Sequence, residues 1–390
     1  VTFPVIGVVG GGQLARMMAP PAVELGLELR VLAEAPGVSA TAAVAHATVG
    51  DYTSLEDLLV FAEGVDVLTF DHEHVPGGHL RALEAAGVNV QPRPVALQHA
   101  QDKLIMRAAV DRLGLPNPRW SSVSSPDELR EFGGAVGWPV VLKTPRGGYD
   151  GKGVRIIASA DDADNAADWF DGSALLAEEK VAFTRELSAL VARSPSGEAR
   201  AWPVVHSIQV DGVCDEVIAP AQDLSPEQGQ AVAEAALRIA DELGVTGVMA
   251  MELFEVPGSE HGFLINELAM RPHNSGHWTM DGSVTSQFEQ HLRAVLDLPL
   301  GDPSLAGGVV VMKNILGGDN PELYSAFPKA LQAEPAAKIH TYGKSVRPGR
   351  KIGHVNAMGL RGETPAQIAR RAERAAAILR DGCETRKEEQ

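Results

Sequence analysis

Residues 245–268 read VTGVMAMELFEVPGSEHGFLINEL, and this stretch decides the fold of the larger half of the chain. Val245–Phe254 and Phe263–Leu268 are apolar and strand-like, and Pro257-Gly258-Ser259 between them is a turn. An antiparallel hairpin centred on that turn sets Glu252 opposite Glu267 and Leu253 opposite Asn266. Opposed side chains lie about 5 Å apart on one face. Two carboxylates at that spacing repel unless a cation lies between them. Mg²⁺ or Mn²⁺ carried in with nucleotide phosphates suits the position, because Mg²⁺ takes a few carboxylates plus phosphate oxygens. Two exposed glutamates, or one in a salt bridge, are the alternatives, and a bulge would break the register.

Upstream, Ser225-Pro226-Glu227-Gln228 has the spacing of a capping box with proline at the first helical position. Val232, Ala235, Ala236, Ile239, Ala240 and Leu243 then recur at helical spacing, and Gly244 ends the helix. Pro195-Ser196-Gly197 and Asp211-Gly212 are hairpin turns, so the region from Arg185 is expected to be antiparallel. Ahead of it a smaller unit is predicted: helix 126–135, strand Val140–Lys143, glycine-rich loop 147–153, strand Val154–Ile157, helix 161–170 and strand Ala174–Ala177. Four glycines in seven residues let Gly147-Gly148-Tyr149-Asp150-Gly151-Lys152-Gly153 fold over phosphate oxygens, with Lys143 entering from a strand end. A glycine-rich hairpin with solvated cations is the alternative.

The first hundred residues alternate strand and helix, which implies a parallel sheet covered by helices. Strands are expected at Val5–Val9, Leu29–Leu32, Val65–Phe70 and Val88–Val90, and helices at 13–25, 55–61, 79–86 and 101–113. Asn117–Ser125 reads as a linker. Gly10-Gly11-Gly12-Gln13-Leu14-Ala15 fits G-x-G-x-x-A, with Glu34 ending the second strand; read alone, this is a dinucleotide fingerprint. Asp71-His72-Glu73-His74 lacks a third ligand at metal spacing.

Downstream, Arg271-Pro272-His273-Asn274-Ser275-Gly276-His277-Trp278-Thr279 is dense in hydrogen-bond donors and runs on from Glu267. Tyr342–Lys351 carries Lys344, Arg347, Arg350 and Lys351, four cations suited to a phosphomonoester, or else a solvated basic loop. The net charge is −17, yet residues 338–387 hold twelve Lys/Arg against four acids. That balance excludes the basic footprint of a nucleic-acid binder and argues against an anionic membrane surface. Two cysteines are too few for a disulfide framework, the opening residues have no basic n-region, and no apolar run approaches a bilayer span, so a cytoplasmic location is expected.

In order, these motifs resemble the ATP-grasp superfamily and, within it, the N5-carboxyaminoimidazole ribonucleotide synthetases of purine biosynthesis. The most specific pieces are Gly11–Met17, Gly147–Gly153, Gly247–Glu252, Ile265–Glu267 running into His273–Thr279, and Tyr342–Lys344 with Arg347–His354. The resemblance implies an α/β chain, α+β overall: a Rossmann-like domain at 1–116, a central lid at 117–183 and an antiparallel-sheet domain at 184–390, with a basic subdomain from about 305. It implies that Lys103 and Lys143 contact ATP phosphates under the loop 147–153. Glu178, Glu179, Lys180 and Val181 match the adenine hinge, Glu186 the ribose acid and His206 a further nucleotide contact. Asn266 and Glu267 join the ATP site, and Glu252, Glu267 and Asn274 match the metal ligands. Tyr149, Asp150, Arg271, His273 and Asn274 line the bicarbonate and amine side. Gly12, Gln13, Leu14, Glu73, Arg271, Lys344, Arg347, Arg350 and Lys351 hold the ribonucleotide. The implied partners are ATP, bicarbonate and 5-aminoimidazole ribonucleotide, and the implied assembly is a homodimer. A formate-using transformylase of the same superfamily, a nicotinamide dehydrogenase and a non-catalytic nucleotide sensor are the other readings.

Overall fold

The computed structural model describes residues 3–148 and 153–382; Tyr149, Asp150, Gly151, Lys152 and Cys383 lie outside the described residues. The first sheet contains β1 (Val5–Val9), β2 (Glu28–Ala33), β3 (His46–Val49) and β4 (Val67–Phe70), all parallel in the order β3-β2-β1-β4. β4 is buried along its whole length, as a parallel strand covered on both faces should be. Val88–Val90 forms no strand and only a single bridge, Val90 to Leu68. In place of one helix from Gln101 there are two, Pro94–Gln101 and Lys103–Arg112. Asp102 separates them: its backbone is extended, and its carboxylate caps Leu104 and Ile105 at 3.0 and 3.2 Å.

The second sheet contains β5 (Trp120–Val123), β6 (Val140–Lys143), β7 (Val154–Ile157) and β8 (Leu175–Glu179), antiparallel in the order β5-β8-β6-β7. β5 falls inside the expected linker, where Trp120 pairs with Glu178 and Val123 with Leu175. The expected helix at 161–170 is a 3₁₀ segment, Asp161–Trp169.

The third sheet has nine antiparallel strands: β9 (Arg185–Arg193), β10 (Ala199–Ala201), β11 (Val205–Val210), β12 (Val213–Ala219), β13 (Gly247–Glu255), β14 (Phe263–Ala269), β15 (Val310–Leu316), β16 (Lys338–Thr341) and β17 (Lys351–Met358). Their order is β14-β13-β9-β11-β12-β15-β17-β16, with β10 paired to β9. The β11–β12 turn places Asp211 and Gly212 at φ 52 and 75°, the left-handed pair that two-residue hairpins require. Helix Pro226–Glu242 buries Val232, Ala236, Ile239 and Ala240 with Leu187, Ala189, Val191, Met249 and Met251 of one sheet face. Full burial of a side chain such as Ile239 contributes roughly 1.5–3 kcal/mol. Only half of the expected capping box forms. Ser225 accepts the Gln228 N–H at 3.1 Å, but the Gln228 side chain donates to the Gly262 carbonyl at 3.3 Å and so ties the helix to the β13–β14 turn.

The opposite face packs Leu190, Ala192, Val248 and Ala250 with Trp278 and Ala294. This face also carries Glu186, Ser188 and Glu252, because side chains alternate along a strand. The last helix, Pro365–Asp381, lies with β15 and β17 through Ile315, Ile352, Val355, Ala375 and Ile378. Among the described residues no helix is long and apolar enough to cross a membrane.

Candidate active site

Glu252 on β13 stands opposite Glu267 on β14, as the hairpin spacing predicts. The next pair differs: Leu253 faces Ile265, so Asn266 is the extra residue of a β-bulge. Packing explains the bulge. Ile265 and Leu268 are both buried in the apolar cluster under the sheet. In a regular strand Ile265 would share the face of Glu267, two residues away. One extra residue sends Ile265 to the core and keeps Glu267 across from Glu252.

Burial pushes the Glu252 carboxyl up to about 8, and the neighbouring Glu267 and Glu186 add to the rise while Lys351 and Arg271 oppose it. His273 lies against it, Nε2 to Oε1 at 3.7 Å. Burial, then Arg271 and Lys351, push that imidazole down to about 3, so it is neutral at pH 7. Asn274 is buried nearby in sequence, and neither its Oδ1 nor its Nδ2 has a partner. Two opposed carboxylates, one of them buried with its proton affinity raised, with an unsatisfied amide following on the same chain segment, fit a hard divalent cation that keeps phosphate or water oxygens for its other positions. Among the described residues no group of three His, Cys, Asp or Glu gathers as a metal cluster.

Cations surround the pair. Lys103 Nζ is 3.2 Å from Glu267 Oε1. Lys143, at the end of β6, reaches Glu178 Oε2 at 2.7 Å and Asn266 Oδ1 at 3.4 Å. Burial alone would raise the Glu178 pKa, but Lys143 and Arg107 override it and hold the carboxyl at about 2. Arg107, absent from the expected site, is fully buried and donates to Glu178 Oε1 at 2.5 Å and to the Ile265 and Asn266 carbonyls at 2.6 and 2.8 Å. Its one sequence signal is its spacing: it follows Lys103 by four residues, on the same helix face.

The hinge acids have different tasks. The Glu178 carboxylate turns to the cations, and Glu179 holds Arg119 at 2.8 Å. Lys180 and Val181 line an open cleft with Arg119 and Trp138. Glu186 is raised by burial and pulled back by Lys143. His206 is not brought to this face: the ladder pairs it with Leu187, and Arg185 and Glu255 are its charged neighbours. Gly147 and Gly153 take φ of 75 and 72°, and Gly153 receives the Thr144 N–H on its carbonyl at 2.9 Å.

Beyond the acids, Arg271 Nε binds Glu73 Oε2 at 2.8 Å, and the Met270 N–H binds Glu73 Oε1 at 3.0 Å. Lys344 donates to Gln13, joining two expected ribonucleotide contacts from opposite ends of the chain. The contact is braced by Ser39 Oγ on the Tyr342 carbonyl at 2.5 Å. Lys351 acts electrostatically on both Glu252 and His273. Arg350 turns to Ser345 Oγ at 2.8 Å, and Arg347 is exposed on the loop. The glycine turn departs from expectation. Glu34 accepts the Gly11 N–H at 3.1 Å and Asp71 the Leu14 N–H at 3.2 Å. Two N–H groups at this helix start are thus already taken by acidic side chains. Glu34, occupied by the turn itself, is not placed as the ribose-binding acid of a dinucleotide site.

Comparison with known proteins bears on the fold and the family. Residues 3–101 match the ribonucleotide synthetase preATP-grasp domain, 108–288 the ATP-grasp domain and 310–368 the phosphoribosylaminoimidazole carboxylase C-terminal domain. The N5-carboxyaminoimidazole ribonucleotide synthase of Mycobacterium bovis is 50% identical over 97% of this chain and 88% of its own. The crystal structure of the Thermus thermophilus synthetase superposes with a TM-score of 0.86 at 36% identity, covering 98% of this chain and 100% of that one. A structure of the Aspergillus clavatus synthase in complex with ADP and 5-aminoimidazole ribonucleotide gives a TM-score of 0.87 at 29% identity over 97% and 98%. At 50% identity over 97% of its length, and with the three domain families matched in order along it, the chain belongs to the N5-carboxyaminoimidazole ribonucleotide synthase family of ATP-grasp ligases.

Proposed function

We propose that this ATP-dependent ligase works through carboxyphosphate and that its phosphoryl-transfer centre is the Glu252–Glu267 pair. The balanced reaction converts ATP, bicarbonate and 5-aminoimidazole ribonucleotide into ADP, phosphate and the N5-carboxylated ribonucleotide. A bicarbonate oxygen takes the γ-phosphoryl group of ATP. The exocyclic amine then captures the carboxyl carbon, and phosphate leaves. Glu252 and Glu267, with Asn274 beside them, would hold Mg²⁺ or Mn²⁺, which when bound neutralises phosphate charge. Lys103 and Lys143 place positive charge on the phosphate side, and Glu186 shares the face where the ribose hydroxyls would lie.

Neutral His273 offers a lone pair or an N–H without adding charge, and Arg271, fixed by Glu73, offers a cation to bicarbonate. Lys344 with Gln13, and Lys351, face the ribonucleotide; Arg347 and Arg350 rim the same loop. Closure of the loop 147–153 would exclude water, which otherwise hydrolyses carboxyphosphate. The three sheets fall within the proposed divisions 1–116, 117–183 and 184–390, which supports those limits. The proposed working assembly is a homodimer, and light scattering showing a monomer at assay concentration would overturn that.

The observation that carries the reading is the register that opposes Glu252 to Glu267 with Lys103 on the second acid. The test is ADP release by the purified protein. It should require bicarbonate and ribonucleotide together, and formate should not replace bicarbonate. ADP release indifferent to the ribonucleotide would overturn the reading. Replacement by formate would favour the transformylase.

A further inference from the structure

Arg107 is fully buried near the site, and strands of the second and third sheets meet at it. It leaves the helix Lys103–Arg112, pairs with Glu178 on β8, and donates to two successive carbonyls of β14, those of Ile265 and Asn266. Nη1 also donates to Asn117 Oδ1 at 2.7 Å. The Asn117 amide returns a hydrogen bond to the Arg107 carbonyl at 3.0 Å. The two β14 carbonyls flank the peptide of the bulge residue. A bulge leaves its extra residue unpaired in the ladder, so its buried polar groups need partners elsewhere. A planar guanidinium, with five donors in a fixed fork, can bond adjacent carbonyls and a carboxylate at once, which a lysine ammonium does less well. Lys103, one helical turn earlier, bonds the carboxylate that the bulge presents. One helix face therefore holds both the bulge and its acid.

We infer that Arg107 is a positioning residue for the metal-binding carboxylates: it locks the Asn266 bulge, and the bulge sets Glu267 across from Glu252. Through Glu178, the same side chain ties that geometry to the sheet that carries Lys143. This inference rests on the assignment of a divalent cation to Glu252 and Glu267. Arg107 touches neither the cation nor the reacting atoms in this account; it acts through the backbone of β14.

The test compares Arg107→Lys and Arg107→Met with the parent, after circular dichroism and thermal melting confirm that each is folded. Mn²⁺ binding is measured by electron paramagnetic resonance at fixed ATP analogue, and turnover as a function of Mg²⁺. Arg107→Met should weaken Mn²⁺ binding at least tenfold and shift the Mg²⁺ requirement upward by a similar factor. Arg107→Lys should recover part of both. A folded Arg107→Met with parental metal binding and a parental Mg²⁺ requirement would overturn the inference. Glu267→Gln is the control for the underlying assignment. If it leaves Mn²⁺ binding intact, the metal assignment fails, and with it the basis for the Arg107 role.

Discussion

Glu178 shows how one carboxylate can be held charged inside a protein. It is almost fully buried, yet two cations bring its carboxyl from the ordinary 4.5 to about 2. The folded-state value lies below the unfolded one, so the pair stabilises the fold fully above about pH 4.5 and loses that contribution as pH falls toward 2. Replacement by Gln leaves Arg107 and Lys143 buried without their counter-charge, and breaking such a pair costs about 3–5 kcal/mol. Thermal melting should therefore show Glu178→Gln far less stable than the parent at pH 7, with the gap narrowing at pH 3. A gap that is constant with pH would mean that the pair contributes packing and not charge. The pair was only half legible in the sequence. Lys143 stood out at a strand end beside a glycine-rich loop, but a buried Arg107 looks like any other charge on an amphipathic helix until the neighbouring sheets are in place.

At the scale of elements, alternation and turn residues revealed the hairpin at 245–268, but period-two reasoning has no term for an inserted residue. Glu252 and Glu267 are opposed as the spacing predicts, while Leu253 takes Ile265 and leaves Asn266 out of the ladder. The edge strand β3 and the short strand β5 were invisible for a related reason: exposed and half-buried positions there carry little apolar pattern. The glycine turn before helix Gln13–Glu24 was legible as a turn but not as a closed one. A Cβ on Gly12 would sit 2.1 Å from Asp71 Oδ2, the carboxylate that caps the helix through Leu14. Gly12→Ala should cost roughly 1–3 kcal/mol in urea denaturation, as forced overpacking does. Gly78→Ala, in helix Gly77–Ala85 with open space at its Cβ, should instead gain about 0.5–1 kcal/mol. Equal effects at the two sites would remove the steric account of the turn.

For the whole molecule, the charge distribution now has a division of labour. The body is acidic, and two of its acids face one another where a divalent cation fits. The basic C-terminal segment splits in two. Arginines of helix Pro365–Asp381 serve the fold: Arg371 binds the Met358 carbonyl at 2.6 Å and Glu363 at 2.8 Å, and Arg380 pairs with Asp381 and Glu373. The loop ahead of β17 instead sends Lys344 across to Gln13 of the first domain. Lys344→Gln should raise KM for the ribonucleotide tenfold or more with little change in KM for ATP. Arg370→Gln, on the exposed side of the helix, should leave both unchanged. Steady-state kinetics with each substrate varied in turn will show this, and a parental ribonucleotide KM in Lys344→Gln would detach the basic loop from substrate binding.

In the proposed reaction the site passes the γ-phosphoryl group of ATP to bicarbonate. The most direct test supplies ¹⁸O-labelled bicarbonate with ATP and 5-aminoimidazole ribonucleotide and reads the released phosphate by mass spectrometry before the label washes out into water. Transfer to bicarbonate should leave one ¹⁸O atom in each phosphate formed. Phosphate without label, released at the same rate as product, would contradict it.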